Sequence, residues 1–346
     1  MKNKYTAGTI IDNWLYFSEI SCNGLFRLNL ENYSMEFVDF FKDEDTYSCF
    51  LHRKVIRIDD ELVFIPQYSR KIHIYNVKTK AQHSIELNDY NIKTPLLGGV
   101  STDEGVILFP FLRGERIFCM DIKQKKLYRD HRFEKSLARY DTIKEEKLFR
   151  RLAIKNGKAY VAPYGTNIIC EIDFVCGLII EYKTNIKHIQ SVFPDKEGLW
   201  VTETNSGCIW RWNGKGEEHR YETGDTGENL YSHIINDKLG NTYVLPAKGE
   251  SILKLHDDKF EKLQYPIEFS FDEKYSYKFV GCAVVDDRVI VFPYKGNSIL
   301  NIHGENVDYL GVNFEMAEYM KAIVQQRKGI FFENSAISLK DIIQML

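Results

Sequence analysis

The stretch RRLAIKNGKAYVAPYGTNIICEID (150–173) shows the pattern that decides the fold. An apolar segment ends in an Asn-Gly pair, a second apolar run closes on Pro163, and a polar loop leads into an alternating third segment. Asn-Gly between two apolar runs indicates a β-hairpin. Proline closes a strand because it has no N–H group to donate to the ladder. With the weaker segment at 178–184, this unit predicts four antiparallel strands.

The same unit recurs along the whole chain. Its second run ends at positions 19, 66, 110, 163, 203, 246, 293 and 333, which are 40 to 53 residues apart. Five of the eight prolines stand at this position. Four strands in about 45 residues are typical of a β-propeller blade. An immunoglobulin-type sandwich would repeat at about 100 residues, and helical repeats would not alternate with a period of two.

The repeats predict an all-β propeller of four-stranded antiparallel blades, and two blade counts fit. Seven units contain all four strands, whereas the eighth has an inner hairpin (321–334) followed by a short segment with helical periodicity (335–346). Seven blades of about 45 residues leave about 30 residues over, which favours seven blades with an extra C-terminal hairpin and helix over eight blades. No linker interrupts the strands, so residues 1–346 are predicted to form a single domain. The longest interval contains a charged insertion (132–149) that predicts a short helix.

Composition excludes several classes of protein. The 346 residues carry 46 Lys plus Arg and 49 Asp plus Glu, and 44% of them are hydrophobic. This balance excludes a disordered chain and argues against a nucleic-acid partner. No 18-residue apolar run is present, so no membrane span is predicted. The seven scattered cysteines favour a reducing, cytoplasmic location, and the chain has no motif that predicts a metal or a cofactor.

The loops after the second strands and before the first strands lie on one face of a propeller, around its central channel. That face is the default binding site by analogy of fold. Its candidate ligand-binding residues are Arg53, Arg70, Arg113, Arg116, Arg150, Arg151, Lys248 and Lys295. His52 adds a further potentially cationic side chain at a strand start. Together they predict a positive face for a protein, a peptide or an anionic small molecule, although lysine and arginine are also common in solvated loops.

The same face raises an enzymatic alternative. His188 and His233 are predicted to precede adjacent inner strands, and Glu203 lies between them in sequence at a strand end. A histidine and a carboxylate can serve as a general base and its orienting group. The alternative function is therefore a lyase or hydrolase that acts on a small molecule or glycan at the channel mouth. The structural alternative is that these are water-bonded residues that fill a channel.

The fifth repeat, GLWVTETNSGCIWRWNG (198–214), is similar to the repeats of streptogramin-lyase-like and NHL-type propellers. Those repeats read Gly-x-Trp-Phe-Thr-Glu, a polar loop with Asn, an Ile-x-Arg strand and a Gly turn. The matching residues are Leu199, Trp200, Val201, Thr202, Glu203, Asn205, Ile209, Arg211 and Gly214. The outline is also similar to Kelch-like and sugar-oxidase-type propellers, so the resemblance implies a seven-bladed fold. Streptogramin lyases use histidines, a glutamate and magnesium, but no motif of this chain matches those residues, and none is carried over.

Overall fold

Each of the first seven repeats of the sequence folds into one four-stranded antiparallel blade. The computed structural model describes residues 8–20, 22–45, 48–102, 105–143, 146–214, 216–269, 278–294 and 298–314. Seven such blades, numbered 1 to 7 in chain order, make the fold a seven-bladed β-propeller. The predicted fold class and blade count are therefore confirmed. The predicted C-terminal hairpin and helix, 321–346, lie outside the described residues.

Within every blade the strands follow one another in chain order from the first to the fourth. Blades 1 and 2 consist of β1 (Thr9–Ile11), β2 (Trp14–Ser18), β3 (Leu25–Asn29), β4 (Ser34–Asp39), β5 (His52–Ile58), β6 (Glu61–Pro66), β7 (Lys71–Asn76) and β8 (Gln82–Glu86). Blades 3 and 4 consist of β9 (Leu96–Thr102), β10 (Gly105–Pro110), β11 (Phe118–Asp121), β12 (Lys126–Arg129), β13 (Phe149–Lys155), β14 (Lys158–Pro163), β15 (Ile168–Asp173) and β16 (Leu178–Lys183).

Blades 5 to 7 complete the fold. They consist of β17 (Ile189–Pro194), β18 (Leu199–Glu203), β19 (Cys208–Trp212), β20 (Glu218–Glu222), β21 (Tyr231–Asn236), β22 (Thr242–Pro246), β23 (Ile252–His256), β24 (Lys259–Leu263), β25 (Phe279–Val285), β26 (Arg288–Pro293), β27 (Ser298–His303) and β28 (Asn306–Gly311). A short strand β29 (Asn313–Phe314) pairs parallel with β4. In the part of the chain that the structure describes, the helical segments are two 3-10 turns, Asn88–Tyr90 and His131–Phe133, and the helix α1 (Glu134–Ala138).

The chain divides into two compact units. The first consists of 1–86, 266–303 and 307–346, and it holds blades 1, 2 and most of blade 7. Phe17 and Phe26 of blade 1 pack with Phe292 of blade 7 in one core cluster. Phe41 and Phe64 lie in a second cluster of the same unit. The prediction of a single domain over 1–346 stays a prediction.

The second unit consists of 87–265 and 304–306 and holds blades 3 to 6. Its core clusters lie between neighbouring blades, and large aromatic side chains fill them. Trp212 packs between blades 4 and 5, and Trp200 between blades 5 and 6. The charged insertion contributes Phe133 and Leu137, both fully buried, from the turn and the helix α1. The high aromatic content thus supplies inter-blade packing.

A β-bulge recurs where the first strand of a blade begins. In blade 2, His52 pairs with Pro66 and Lys54 with Ile65, so Arg53 is an extra residue. The first strands of blades 3 to 7 shift register at the same place. We name this the proline end of a blade, and the opposite end, with the tight turns, the hairpin end. A bulge re-aims the side chain that it carries, so the proline, or the glutamate Glu203 in blade 5, marks where blades 2 to 7 place a variable residue.

Candidate functional site

Two neighbouring arginines stand at the bulge of blade 4. Arg150 and Arg151 lie between the paired residues Phe149 and Leu152 of β13, where they face a single residue of β14. Arg150 Nη1 donates a hydrogen bond to Asn229 Oδ1, just before β21. Arg151 Nη1 lies 3.0 Å from His233 Nε2, and Arg151 Nη2 lies 3.4 Å from His233 Nδ1. Two residues of blade 4 thus reach two residues of blade 6 at the proline end.

The guanidinium of Arg151 lies near two rings, those of His233 and Phe193. Each of its terminal nitrogens approaches one ring nitrogen of His233, so the guanidinium lies alongside the imidazole. Its central carbon lies 5.6 Å from the centre of the Phe193 ring, on β17. Arginine stacks well on planar rings, and such contacts limit its rotamers. Blades 4, 5 and 6 therefore fix one cationic group in a half-buried position. We name Arg150, Arg151, Asn229 and His233 the arginine site.

The backbone around the arginine site is held in an uncommon conformation. His188 and Asn229 precede β17 and β21, and both have positive φ angles, 50° and 55°. Thr204 donates its N–H and its hydroxyl to the carbonyl of His188, each at 3.0 Å. Asn229 N–H in turn donates to Thr204 O at 2.9 Å. Asparagine tolerates this conformation, whereas a histidine adopts it less readily, so the hydrogen bonds of Thr204 help to hold His188 in place.

The bulge of blade 5 contains a side-chain amide, that of Gln190. Gln190 is the extra residue of β17 and is 2% exposed. Among the described residues, its Oε1 has no hydrogen-bond donor, and neither does Thr202 Oγ1 on the adjoining strand β18. Buried oxygen atoms without a donor are uncommon in folded proteins. The bulge of blade 5 thus places a buried amide oxygen on β17, the strand that also carries Phe193, and a buried hydroxyl on the adjoining β18.

Two other predicted ligand residues bind the protein itself. Arg113 donates to the carbonyl oxygens of Tyr140 at 2.8 Å and Tyr164 at 3.1 Å. Arg116 forms an ion pair with Asp141, with Nη2 and Oδ2 2.9 Å apart. Both arginines thereby fasten the segment after α1 to the loop after β10.

The remaining predicted cations lie apart from one another in the chain. Arg53 is half-buried at the bulge of blade 2, and Arg70 is exposed in the loop after β6. Lys248 is exposed in the loop after β22, where its N–H donates to Leu230 O. Lys295 lies outside the described residues.

The prediction that His52 contributes positive charge is wrong. Its side chain is fully buried, with Nδ1 3.0 Å from Ser18 Oγ and Nε2 2.8 Å from His73 Nδ1. Burial and, next, the neighbouring His73 hold the pKa of His52 well below its usual 6.5. An imidazole in that environment is neutral at pH 7, because burial disfavours the charged form.

The three candidate catalytic residues have different surroundings. Glu203 Oε1 accepts the N–H of Lys187 at 3.1 Å, and its Oε2 accepts Ser206 Oγ at 2.5 Å. His188 is exposed, whereas His233 lies against Arg151. Their catalytic role stays a prediction. Within the described ranges, no group of three or more His, Cys, Asp or Glu side chains is arranged to hold a metal ion, and no helix there is long and apolar enough to span a membrane.

Sequence reasoning missed one residue of the arginine site, Asn229, and two residues of blade 5 near it, Phe193 and Gln190. Gln190 could have been found from the register, because it stands opposite the end of a marked second strand. Asn229 and His188 both lie just before a first strand. Their equivalence is visible only in the structure, where both have a positive φ angle. Phe193 reads in sequence as an ordinary core aromatic, and nothing in its pattern distinguishes it.

Comparison with solved structures finds the same fold in proteins of different roles. Virginiamycin B lyase from Staphylococcus aureus is 14% identical, with a TM-score of 0.63, over 84% of this chain and 92% of that one. A streptogramin B lyase is 15% identical, with a TM-score of 0.64, over 88% and 93%. The extracellular domain of a putative hybrid two-component system from B. thetaiotaomicron is 12% identical, with a TM-score of 0.62, over 86% of this chain and 38% of that one.

At these identities the likeness shows the fold alone. No protein-family model matches the chain, and no curated protein matches it. The resemblance of the fifth repeat to streptogramin-lyase-like propellers is confirmed as a likeness of fold, and this chain is a seven-bladed propeller similar in architecture to those lyases and to extracellular propeller domains.

Proposed function

We propose that the protein is a binding module that holds a carboxylate or phosphate group at the arginine site. The observation that carries this proposal is the placement of Arg151 against both Phe193 and His233. A guanidinium has five N–H donors in a planar fork, which matches the oxygens of a carboxylate or phosphate. Because the side chain is already held, less rotamer entropy is lost when an anion binds.

The second guanidinium strengthens the preference for an anion. Arg150 is adjacent in sequence, and Asn229 fixes its direction. Two cations at one half-buried position are favourable for a ligand with two negative oxygens, and their attraction weakens with added salt. The ligand could be a small molecule or an acidic side chain of a protein or peptide partner, since both offer the same group.

The test is a binding screen on the full chain. Inorganic phosphate, citrate and an aspartate-rich peptide, each with a neutral analogue, are compared by thermal shift, and binders are titrated by calorimetry. We expect an anion to raise the melting temperature and Arg151→Ala to weaken its binding about tenfold or more, the usual cost of a lost charged hydrogen bond. Arg57→Ala, an exposed arginine of β5, is the matched control and should bind normally. Equal binding by both variants would refute the site.

Catalysis by the same site is the second candidate. It is favoured by His233, because a histidine beside a bound anion can transfer a proton near neutral pH. The identified ligand is incubated with the protein, and products are followed by NMR. If His233→Gln still binds the ligand but stops turnover, the site is that of a lyase or hydrolase. If the ligand is never converted by the unaltered protein, the binding function alone stands.

The cytoplasmic location is also a proposal. It is supported by the cysteine spacing and by the surroundings of two thiols. Cys170 Sγ lies 3.5 Å from Tyr140 Oη, and Arg220 Nη2 donates to Cys208 Sγ at 2.8 Å. Burial also raises the pKa of Cys170 to about 12, so that this thiol is protonated and unreactive. Cell fractionation of the native protein tests the location.

A further inference from the structure

Within the arginine site, the imidazole of His233 is the group that gains or loses a proton near neutral pH. His233 stands on β21 directly after the bulge residue Ser232, and it pairs with Leu245 of β22. The two arginines of the site keep their charge at every pH at which the protein is folded, and the amide of Asn229 does not titrate. The charge of the four side chains together is therefore set by His233.

The contact with Arg151 favours the neutral form of His233. Arg151 Nη1 lies 3.0 Å from His233 Nε2, and Arg151 Nη2 lies 3.4 Å from His233 Nδ1. A guanidinium donates hydrogen bonds and accepts none, so a ring nitrogen that accepts from it must offer a lone pair. A protonated imidazole carries an N–H group on both nitrogens, which would set donor against donor and positive charge against positive charge. The guanidinium therefore opposes protonation of His233.

The second guanidinium adds to this opposition. Arg150 donates to the amide oxygen of Asn229, a contact that does not neutralise its charge. The bulge of β17, the first strand of the blade between them, contributes Gln190 and Ser191, neither of which titrates. Charged or titratable side chains in the loops at the proline ends of blades 5 and 6 are those of Lys187, His188, Glu203 and Lys248. The charge that the contacts of β13 bring to His233 is positive.

An anion at the arginine site reverses the opposition. Its negative charge offsets that of Arg151, and its oxygens accept the guanidinium N–H groups. A protonated His233 can then donate to an oxygen of the same anion, in a charge-assisted hydrogen bond. Protonation of His233 and binding of the anion thus favour each other. Such a coupling is reciprocal, so protonation raises the affinity for the anion by the factor by which the anion raises the affinity for the proton.

We propose that the arginine site binds a dianionic group, such as that of a phosphate monoester, together with a proton that His233 takes from the solvent. The proton forms an N–H bond at the ring nitrogen that has a lone pair, and no covalent bond of the ligand changes. An imidazolium adds a third positive charge to those of the two arginines, which favours a doubly charged ligand over a singly charged one. Affinity is then highest in mild acid and falls as the pH rises through neutrality. This inference rests on the proposed function, because it requires an anion at the site.

The probe is sulfate, a tetrahedral dianion that keeps its charge in the pH range used, as phosphate does not. Calorimetric titrations of the full chain, in two buffers that differ in ionisation enthalpy, measure how many protons are taken up with each sulfate. We expect on the order of half a proton near pH 6.5, and an affinity that rises about tenfold from pH 8 to pH 5.5. Methanesulfonate has the same shape and one negative charge less, and it should bind about tenfold more weakly or worse.

The variant His233→Gln keeps a hydrogen-bond acceptor for Arg151 but does not titrate. It should take up no proton with sulfate, and its affinity should not change with pH. The matched control is His219→Gln, which replaces an exposed histidine of β20 and should keep the full uptake. Melting temperatures at each pH verify that the variants are folded. In the unaltered protein, an NMR titration of the His233 ring should show protonation at a higher pH with sulfate than without it.

The outcomes separate this inference from the function on which it rests. Sulfate binding that Arg151→Ala weakens, but that takes up no proton or leaves the His233 titration unchanged, would overturn the inference and leave the binding function intact. Loss of the uptake in His188→Asn instead of His233→Gln would assign the proton to His188 and would also overturn it. Equal affinity for sulfate and methanesulfonate would overturn the choice of a dianion. If Arg151→Ala weakens the binding of no anion, the proposed function fails and the inference with it.

Discussion

His52 and His73 form a buried pair in blade 2 that makes stability depend on pH. Glu44 Oε1 lies 3.8 Å from Nε2 of His73, and the same oxygen accepts a hydrogen bond from the hydroxyl of Ser69 at 2.6 Å. Burial and, next, the charge of Lys71 lower the pKa of His73 to about 4, against the opposing effects of a backbone contact at residue 42 and of Asp43. The folded chain therefore keeps both imidazoles neutral well below the usual histidine pKa.

An acid-linked loss of stability is the first prediction at this scale. Between pH 6.5 and 4 the unfolded chain binds protons that folded His73 excludes, so the free energy of unfolding falls as pH is lowered through this window. From pH 7 to pH 5 the loss from His73 is on the order of 2 kcal/mol. In urea titrations at both pH values, His73→Gln should show a smaller loss. His83→Gln, which replaces an exposed histidine of β8, should lose as much free energy of unfolding between pH 7 and pH 5 as the unaltered protein. Equal losses in the His73→Gln and His83→Gln variants would contradict this account.

At the scale of the strand, a glycine allows the second strand of blade 5 to begin. A Cβ atom added to Gly198 would lie 2.0 Å from Trp212 O and 2.8 Å from Asn213 Cα, which are backbone atoms of the next strand and its turn. Gly105 holds the same place in blade 3, where a Cβ atom would lie 2.0 Å from Met120 O. The hairpin end of these two blades therefore depends on the missing side chain.

We accordingly predict that Gly198→Ala destabilises the protein by about 2–4 kcal/mol, because the strand must move to relieve the clash. Gly311→Ala is the matched control, since no heavy atom of the described residues lies within 4 Å of its added Cβ atom. Its effect should be close to zero. Chemical denaturation of both variants at one pH measures the difference, and comparable stabilities would show that the β18–β19 backbone adapts without cost.

At the scale of the whole molecule, the seven blades were predictable because the recurrent proline stands at one structural position in the blade. It marks the end of the second strand opposite a bulge, as Pro66 does against His52. Pairing within a blade is local in sequence, so a repeat of about 45 residues contains the whole element. The fold does not carry the function, since lyases and extracellular domains share it at 15% identity or less.

The candidate site was predictable only in part. Arg150, Arg151 and His233 were identified because they stand at strand starts. Arg113 could not be distinguished from them, since its partners are main-chain carbonyls at positions 140 and 164 that only the folded chain brings near. The lowered pKa of His52 follows first from burial and next from His73, 21 residues further along the chain, and neither is visible in the local sequence. Long-range polar contacts of this kind leave no local pattern in a sequence.

The recurrent bulge has a consequence for protein engineering. In the 87–265 unit its extra residues differ from blade to blade, as with Leu97, Gln190 and Ser232, while the strand pairing beyond them is the same. A bulge residue has no partner in the ladder, so its identity can change without altering the register. Leu97, Gln190 and Ser232 are buried, whereas the bulge residues of blade 4, Arg150 and Arg151, are half-buried. Randomising these two positions would therefore vary the chemistry that the proline end presents to solvent while the strand pairing of the blade is kept.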